Sequence, residues 1–255
     1  MANRFNLPTL ATIRGLIICA TNNERFCPSQ NTTRKIRIKQ LENPKPQAEL
    51  VISVALWGTD RERYLNPLLQ HIGQVRAKHP TWTFRVHVSP DLHSTWLTAL
   101  READVEIAIM TENNEGHQGA TWAYLPLAEE RPMIVWGADD MYDSSFMSLV
   151  ERWLQTNKQF MMIVAGCSYF QPLRGCFGAA RNKPLPNIAE QLEQFNKTCN
   201  CYGCDEVFLS RTLHRLMTSD NTLVVADSIY KVLWLPLIVA VVFVVMVLIY
   251  VYYSK

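Results

Sequence analysis

Residues 50–58 read LVISVALWG, in which seven apolar residues and one serine precede a glycine. A short run without alternation between apolar and polar residues is typical of a β-strand buried on both faces, as in parallel sheets. Segments with helix-like and strand-like patterns alternate after it. This alternation predicts an α/β fold with a mostly parallel sheet covered by helices. In such folds ligands bind beyond the carboxyl ends of the strands.

The same patterns predict the other elements of one domain, which we place at residues 48–230. Apolar side chains with helical spacing, or short apolar runs, identify the segments. Helices are predicted at 67–77, 95–103, 146–154, 188–195 and 206–217, and strands at 83–88, 105–110, 133–136 and 160–164.

The composition excludes several classes of protein. The chain has 255 residues, with 25 Lys and Arg against 23 Asp and Glu, and 48% of its residues are hydrophobic. This length supports one large domain or two small ones. The net charge of +2 argues against a protein that coats nucleic acid, and we expect no nucleic-acid partner. The aromatic and charged contents exclude a disordered chain.

Residues 232–252 read VLWLPLIVAVVFVVMVLIYVY and carry no charged side chain. As a helix, 21 residues extend over about 31 Å, which matches the hydrocarbon core of a bilayer. Trp234 and Tyr250 lie near the two ends, where aromatic side chains favour the membrane interface. We therefore predict a C-terminal transmembrane helix within an anchor at residues 231–255. A buried core helix is the alternative.

The anchor predicts where the domain lies. We expect no signal peptide, because the early apolar run at 15–20 is short and lacks a convincing cleavage site. A single C-terminal span without a signal sequence indicates a tail-anchored protein whose N-terminal domain is cytosolic. The seven cysteines, an odd number without the spacing of secreted scaffolds, agree with a reducing compartment. The expected partners are the lipid bilayer and other proteins.

Residues 1–47 are predicted to form an N-terminal extension that ends in a proline-containing linker at 43–46. Within it, residues 34–39 (RKIRIK) alternate basic and apolar side chains, as a half-buried strand does. Two interpretations remain open. The strand is either a solvated edge strand whose basic residues prevent pairing with other sheets, or a basic ribbon that binds lipid head groups or another polyanion.

Several short motifs follow one another in a defined order along residues 50–228. They are Trp57-Gly58, Tyr64, His79-Pro80-Thr81-Trp82, Arg85-Val86-His87, Gly119-Ala120-Thr121-Trp122, Trp136-Gly137-Ala138-Asp139-Asp140, Val150-Glu151-Arg152-Trp153 and Tyr202-Gly203-Cys204-Asp205. In this order they resemble the GT-A-type glycosyltransferase-like proteins of bacteria and large DNA viruses. The resemblance implies a GT-A-like, Rossmann-like α/β domain of the kind that uses a nucleotide sugar.

The resemblance also implies a site. Family members hold the diphosphate of the donor through Mn²⁺ or Mg²⁺ bound by an Asp-x-Asp motif, and carboxylate oxygens suit these cations. Here the first aspartate of the motif is a glycine, and a further aspartate follows the second. As neighbours on a strand, these two aspartates are expected to point to opposite faces. By this correspondence the metal ligands are Asp139 and Asp140, the donor is bound by Trp57, Gly58, Trp122 and Asp139, and the catalytic carboxylate is Asp205.

Most departures from the family replace polar residues. Two arginines of the family motifs are Trp136 and Ala123 here, which removes two phosphate donors. The basic residues expected near the phosphate end are Arg131, Arg174 and Arg181. The leading interpretation is therefore a pseudoenzyme, a tail-anchored scaffold or adaptor that needs no cofactor. Its apolar binding surface would include Trp136, Met161 and Met162.

The occurrence of similar domains in large DNA viruses suggests a viral protein of the virion membrane or a minor capsid component. Two alternatives remain open. One is an active, metal-dependent glycosyltransferase of the hexosyl type, which uses a nucleotide sugar with Mn²⁺ or Mg²⁺ at the membrane surface. The other is a sensor that binds the nucleotide sugar without turnover.

A cluster of cysteines precedes the last predicted helix. Cys199, Cys201 and Cys204, with His214, offer ligand types that structural zinc prefers. Their spacing is unusual for zinc, and no second cysteine pair completes a standard site. We therefore expect free thiols here rather than a zinc ion.

Overall fold

The computed structural model describes residues 35–58, 60–114, 117–140, 142–164, 173–179, 185–197, 204–212, 216–218 and 220–226. The predicted anchor and most of the predicted N-terminal extension lie outside these residues. Within the described ranges, no helix is both long enough and apolar enough to cross a membrane.

In the described part of the chain, eight strands form one sheet. They are β1 (Ile38–Glu42), β2 (Leu50–Leu56), β3 (Trp82–Val88), β4 (Glu106–Met110), β5 (Met133–Trp136), β6 (Phe160–Val164), β7 (Leu173–Ala179) and β8 (Thr222–Ala226). Their spatial order is β1-β4-β3-β2-β5-β7-β6-β8. The central strands β4, β3, β2 and β5 are parallel, whereas β1 and β7 are antiparallel to their neighbours. The predicted mostly parallel sheet is confirmed.

Helices cover both faces of this sheet. They are α1 (Asn66–Lys78), α2 (Ser94–Glu102), α3 (Ser144–Leu154), α4 (Ile188–Asn196) and α5 (Cys204–Arg211), with a π-helical turn at Arg61–Leu65 and a 3-10 helix at Gln118–Ala128. The predicted helix 206–217 therefore starts two residues earlier and ends at 211.

Alternating side chains of β2 enter two different cores, as the two-residue repeat of a strand requires. Leu50, Ile52 and Val54 pack with apolar residues of α1, α2 and α3. Val51, on the opposite face, packs with the 3-10 helix, α4 and α5. The sheet is thus the middle layer of three layers.

The strand predicted in the N-terminal extension joins the edge of the sheet. Ile36 is buried in the same core as the 3-10 helix, while Lys35, Arg37 and Lys39 are exposed, as the alternating pattern predicts. The regular pairing with β4 runs from Ile38 to Glu42, somewhat later than the sequence pattern indicates.

A buried ion network ties the amino ends of the strands together. Glu106, at the start of β4, is fully buried and accepts hydrogen bonds from Arg85 (2.6 Å), Arg131 (3.1 Å) and the Lys45 backbone N–H (2.6 Å). Both arginines also pair with Glu129. Burial alone raises the pKa of Glu106, but the charge of Arg85 and these hydrogen bonds lower the pKa more, and it lies below its usual value.

We expect Glu106→Gln to destabilise the protein by about 3–5 kcal/mol, because the variant removes the fully buried carboxylate of the network and leaves two arginines with the partly exposed Glu129 alone. Urea unfolding of the full-length chain in detergent micelles measures the free energy of unfolding. The exposed Glu102 provides a matched control, and Glu102→Gln should change that free energy by about 0.5 kcal/mol or less. Equal stabilities of the two variants would contradict the role of the network.

Two histidines are buried in the described part of the chain, His71 among aromatic rings and His87 beside the Ser53 hydroxyl, 3.1 Å from its Nε2. His71 of α1 is in edge contact with the rings of Phe84, Trp136 and Tyr142, and neither of its ring nitrogens has a hydrogen-bond partner among the described residues. His87 of β3 is fully buried. Burial lowers the pKa of His71 to about 4, and burial together with the nearby Arg85 charge lowers the pKa of His87 to about 3. At neutral pH the lowered pKa values favour the neutral form of both imidazoles in the folded protein.

Acid should therefore destabilise the fold through His71. The unfolded chain binds a proton at this residue below its ordinary pKa of 6.5, whereas the folded chain does so only near pH 4. The contribution of His71 to the free energy of unfolding is fully present above pH 6.5. It falls by about 1.4 kcal/mol for each pH unit as the pH drops from 6.5 to about 4. Replacement His71→Leu should reduce the pH slope of the unfolding free energy by about this amount. An unchanged slope in urea titrations at several pH values would contradict this assignment.

Candidate functional site

The parallel strands end at one edge of the sheet, which we call the carboxyl edge. Trp57 and Gly58 directly follow β2, and Asp139 and Asp140 follow β5. Because β2 and β5 are hydrogen-bonded neighbours, the structure brings these predicted site residues to the same region. The ion network of Glu106 lies at the opposite end of the strands, which we call the amino edge.

The two aspartates border the same small space. The strand β5 ends at Trp136, and a turn follows in which the Asp140 N–H donates to the Gly137 carbonyl (3.3 Å). A Cβ on Gly137 would lie 2.6 Å from Asp140 Oδ2 and 3.4 Å from Asp139 Oδ1. The prediction that the two carboxylates point to opposite faces is wrong, because the alternation of a strand does not apply to a turn.

Arg63 of the π-helical turn reaches one of the two carboxylates, that of Asp139. Its Nη2 lies 3.5 Å from Asp139 Oδ2, and the side chains are 57% and 45% exposed. Such an exposed ion pair contributes little to the free energy of unfolding. The Arg63 side chain can therefore leave Asp139 and turn towards an incoming anion at little cost. Motif comparison missed Arg63, because one arginine in a polar segment forms no motif. Its signal in the sequence is its position just after Trp57-Gly58.

Of the three arginines predicted for the phosphate end, the structure describes the side chain of Arg131 alone. Arg131 lies at the amino edge, where it pairs with Glu129 (2.8 Å) and Glu106 (3.1 Å), and its prediction as a phosphate ligand is wrong. Arg131 precedes β5, and residues before a parallel strand lie at the amino edge, whereas a phosphate ligand was expected at the carboxyl edge. The side chain of Arg174 and all of Arg181 lie outside the described residues.

Trp57, which follows the neighbouring strand β2, packs against the core on the side of the 3-10 helix. Its ring meets the ring of His117 edge-on, with 5.6 Å between centroids. A Cβ on Gly119 would lie 2.6 Å from Trp57 Cγ, and the Gly119 N–H donates to Asn114 Oδ1 at 2.6 Å. The absence of a side chain at position 119 therefore lets the 3-10 helix approach the tryptophan.

The remaining predicted residues lie further inside. Trp122 is 4% exposed in the core beneath the 3-10 helix, so its ring is a packing element. Asp205 is in the first turn of α5, where its carbonyl accepts a hydrogen bond from the Tyr124 hydroxyl (3.3 Å). The neighbouring Cys204 thiol donates to the His117 carbonyl (3.0 Å), which connects this turn to the Trp57 side of the site. The geometry leaves the catalytic role of Asp205 a prediction.

Metal binding depends on the carboxylate pair. Among the described residues, no group of three or more His, Cys, Asp or Glu side chains is arranged to hold a metal ion. Mg²⁺ and similar cations are, however, often held by one or two carboxylates plus water and substrate phosphates. Asp139 and Asp140 fit that arrangement.

The cysteine cluster that the sequence singled out is mostly outside the described residues, since Cys199, Cys201 and His214 are not among them. Burial raises the pKa of the Cys204 thiol well above its usual value.

No protein-family model and no characterised protein matches the sequence. The structural neighbours are nucleotidyl- and glycosyltransferases with GT-A-like folds, the class that the motif order resembles. One is a mannosyltransferase from Pyrobaculum calidifontis in complex with GDP-Man and Mn²⁺, which is 12% identical with a TM-score of 0.45. The match covers 86% of this chain but only 62% of the mannosyltransferase.

A second neighbour is the 4-diphosphocytidyl-2C-methyl-D-erythritol synthase of Anaerococcus prevotii, at 10% identity and a TM-score of 0.42, with 69% and 86% of the two chains covered. A third is a cytidylyltransferase of Leptospira borgpetersenii, at 10% identity and a TM-score of 0.41, with 71% and 76% covered. Similarity at this level carries no information about activity or ligands.

Gly58 is covered by the ring of Tyr64, which a Cβ at position 58 would overlap. We expect Gly58→Ala to destabilise the protein by about 1–3 kcal/mol, because the tyrosine ring has to move. Gly73 is a matched control, since a Cβ there meets nothing within 4 Å on the exposed side of α1. Gly73→Ala should stabilise the protein by about 0.5–1 kcal/mol. Urea unfolding compares the variants, and a gain in both would refute the close contact.

Proposed function

We propose that this chain is a membrane-anchored, metal-dependent glycosyltransferase that uses a nucleotide sugar. The observation that supports it is the pair of carboxylates of Asp139 and Asp140, which border one space at the carboxyl edge. Two carboxylates attract a divalent cation, and the cation in turn attracts the diphosphate of a donor. The proposed anchor is the uncharged segment 232–252, for which the sequence alone is the support.

The charges around the carboxylates suit a diphosphate ligand. Arg63 already approaches Asp139, and its exposed guanidinium is able to turn towards a phosphate that a bound cation brings in. A cation held by Asp139 and Asp140 would supply the positive charge that the resemblance places at positions 136 and 123, which here are Trp136 and Ala123. Trp57 offers an aromatic side chain at the end of the neighbouring strand.

Glycosyl transfer makes defined demands on these residues. The bond between the sugar C1 and the diphosphate oxygen breaks, a bond from C1 to the acceptor oxygen forms, and the acceptor proton passes to a base. Asp139 and Asp140 would hold a divalent cation, which would supply positive charge for the departing nucleoside diphosphate. Asp205 is the proposed base, because its turn of α5 is connected through Cys204 to His117 and so to the Trp57 side of the site.

The scaffold interpretation has less support. It predicted an apolar surface that includes Trp136 and Met161, whereas their exposed fractions are 5% and 0%. The side chain of Met162 lies outside the described residues. The scaffold role, the virion location and the cytosolic orientation stay predictions.

Thermal unfolding of the full-length chain in detergent micelles tests the proposal, with MnCl₂ and a panel of nucleotide sugars. At about 100 times its Kd, a ligand adds about 2.7 kcal/mol of stability, which raises Tm by roughly 5–10 °C. The shift should require both Mn²⁺ and a nucleotide sugar, and the double variant Asp139→Asn with Asp140→Asn should lose it. Asp91→Asn, an exposed aspartate after β3, is the matched control and should keep it.

Restoring the missing family aspartate sharpens this test. Gly137→Asp places a third carboxylate beside the pair, and the clashing Asp140 Oδ2 is the end of an exposed side chain that is able to turn away. The Kd for Mn²⁺ should fall by about tenfold, because a further unit charge near the cation contributes several kcal/mol of attraction before desolvation. A folded chain whose Tm responds to no combination of Mn²⁺ and nucleotide sugar would refute the proposed activity.

A further inference from the structure

The last described strand runs in the same direction as the central parallel strands. β8 pairs parallel with β6, and both β6 and β5 pair antiparallel with β7. The direction of β8 is therefore that of β5 and β2. Its last residue, Ala226, consequently lies at the carboxyl edge, the edge that also carries Asp139 and Asp140.

Little chain separates this point from the proposed anchor. Residues 227–231 (DSIYK) link Ala226 to the apolar segment 232–252. Even when fully extended, this link reaches about 20 Å. Two strands, β7 and β6, lie between β5 and β8, so their ends are about 14 Å apart at the usual inter-strand spacing. The start of the anchor and the carboxylate pair are thus held near the same edge.

We propose that the carboxyl edge of the sheet faces the lipid bilayer, so that the candidate site takes its acceptor from a membrane lipid. This inference rests on the proposed anchor and deepens the proposed function, because it names the class of acceptor. A head group attached to a lipid reaches the site without leaving the membrane. The water-soluble nucleotide sugar enters from the solvent beside it.

The charge of this edge shows what kind of membrane contact to expect. Among the residues that the structure describes at this edge, the exposed charged side chains are mostly acidic: Asp60, Glu62, Asp91, Asp139 and Asp140, beside Arg61 and Arg63. Such a surface is not attracted to anionic lipids. The short link, rather than charge, sets the orientation, and uncharged phosphatidylcholine vesicles are the appropriate probe.

Energy transfer from the protein to the vesicle surface tests the orientation. Asp91 and Pro80 are exposed positions that flank β3 at the carboxyl and amino edges, and they form a matched pair. A fluorescent amino acid replaces one or the other in the full-length chain, which is reconstituted with phosphatidylcholine that contains a head-group-labelled acceptor lipid. Because β3 separates the two positions by about 20 Å, we expect about twofold or higher transfer efficiency from position 91.

A spacer variant isolates the effect of the link. Insertion of about 20 Gly and Ser residues between Lys231 and Val232 adds a flexible segment with a mean span of about 25 Å. The difference between positions 91 and 80 should disappear in this variant, while the chain should still float with the vesicles in a density gradient.

The outcomes separate the inference from the proposals on which it rests. Equal transfer from both positions in the parent chain, or stronger transfer from position 80, overturns the proposed orientation. If the same chain floats with the vesicles, the proposed anchor is still supported. A chain that does not float overturns the anchor and the orientation together. The response of Tm to Mn²⁺ and nucleotide sugars, measured in detergent, is independent of both results.

Discussion

The position of β2 at the centre of the sheet is the constraint on which the other features depend. All seven of its residues pair with β3, and four pair with β5 on the other side. Buried backbone groups need hydrogen-bond partners, and both faces of β2 are covered by apolar side chains. Parallel neighbours require crossover connections, which here run over both faces as helices. The central strands consequently end at one edge, and the loops that follow them form the candidate site.

The two edges use the same residue types for different purposes. At the amino edge the buried Glu106 is held by two arginines, and its removal leaves both of them to the single, partly exposed carboxylate of Glu129. At the carboxyl edge Arg63 and Asp139 are exposed, so the pair separates at little cost. The amino edge therefore maintains the register of the strands, while charges at the carboxyl edge remain available for ligands. Arg131 and Arg63 differ in role only because of where the chain places them.

Local patterns predicted much of this arrangement. The strands β5 and β6 agree with the sequence prediction, and α1 agrees within one residue at each end, because apolar runs and helical spacing are local signals. The strand β7 was not predicted, since its sequence LRGCFGA has two glycines and no alternation, and its place depends on pairing with β5 and β6. Motif order predicted Asp139 and Asp140 as metal ligands, and that assignment stays a prediction. Motif order misplaced Arg131 and missed Arg63, because the edge that a residue occupies is a property of the whole sheet.

The missing first aspartate of the motif changes the site less than the sequence indicates. Position 137 is a glycine, and the space that its Cβ would fill is approached by Asp140 Oδ2 at 2.6 Å. The turn after β5 thus brings the Asp140 carboxylate into the space beside Gly137, the position at which the similar motif has its first aspartate. Because electrostatic attraction depends on the position of a charge and not on its place in the sequence, a cation in that space meets two carboxylates. The resemblance implies that two motif arginines are replaced here, and under the proposed function a divalent cation held by Asp139 and Asp140, together with Arg63, would supply positive charge in their place.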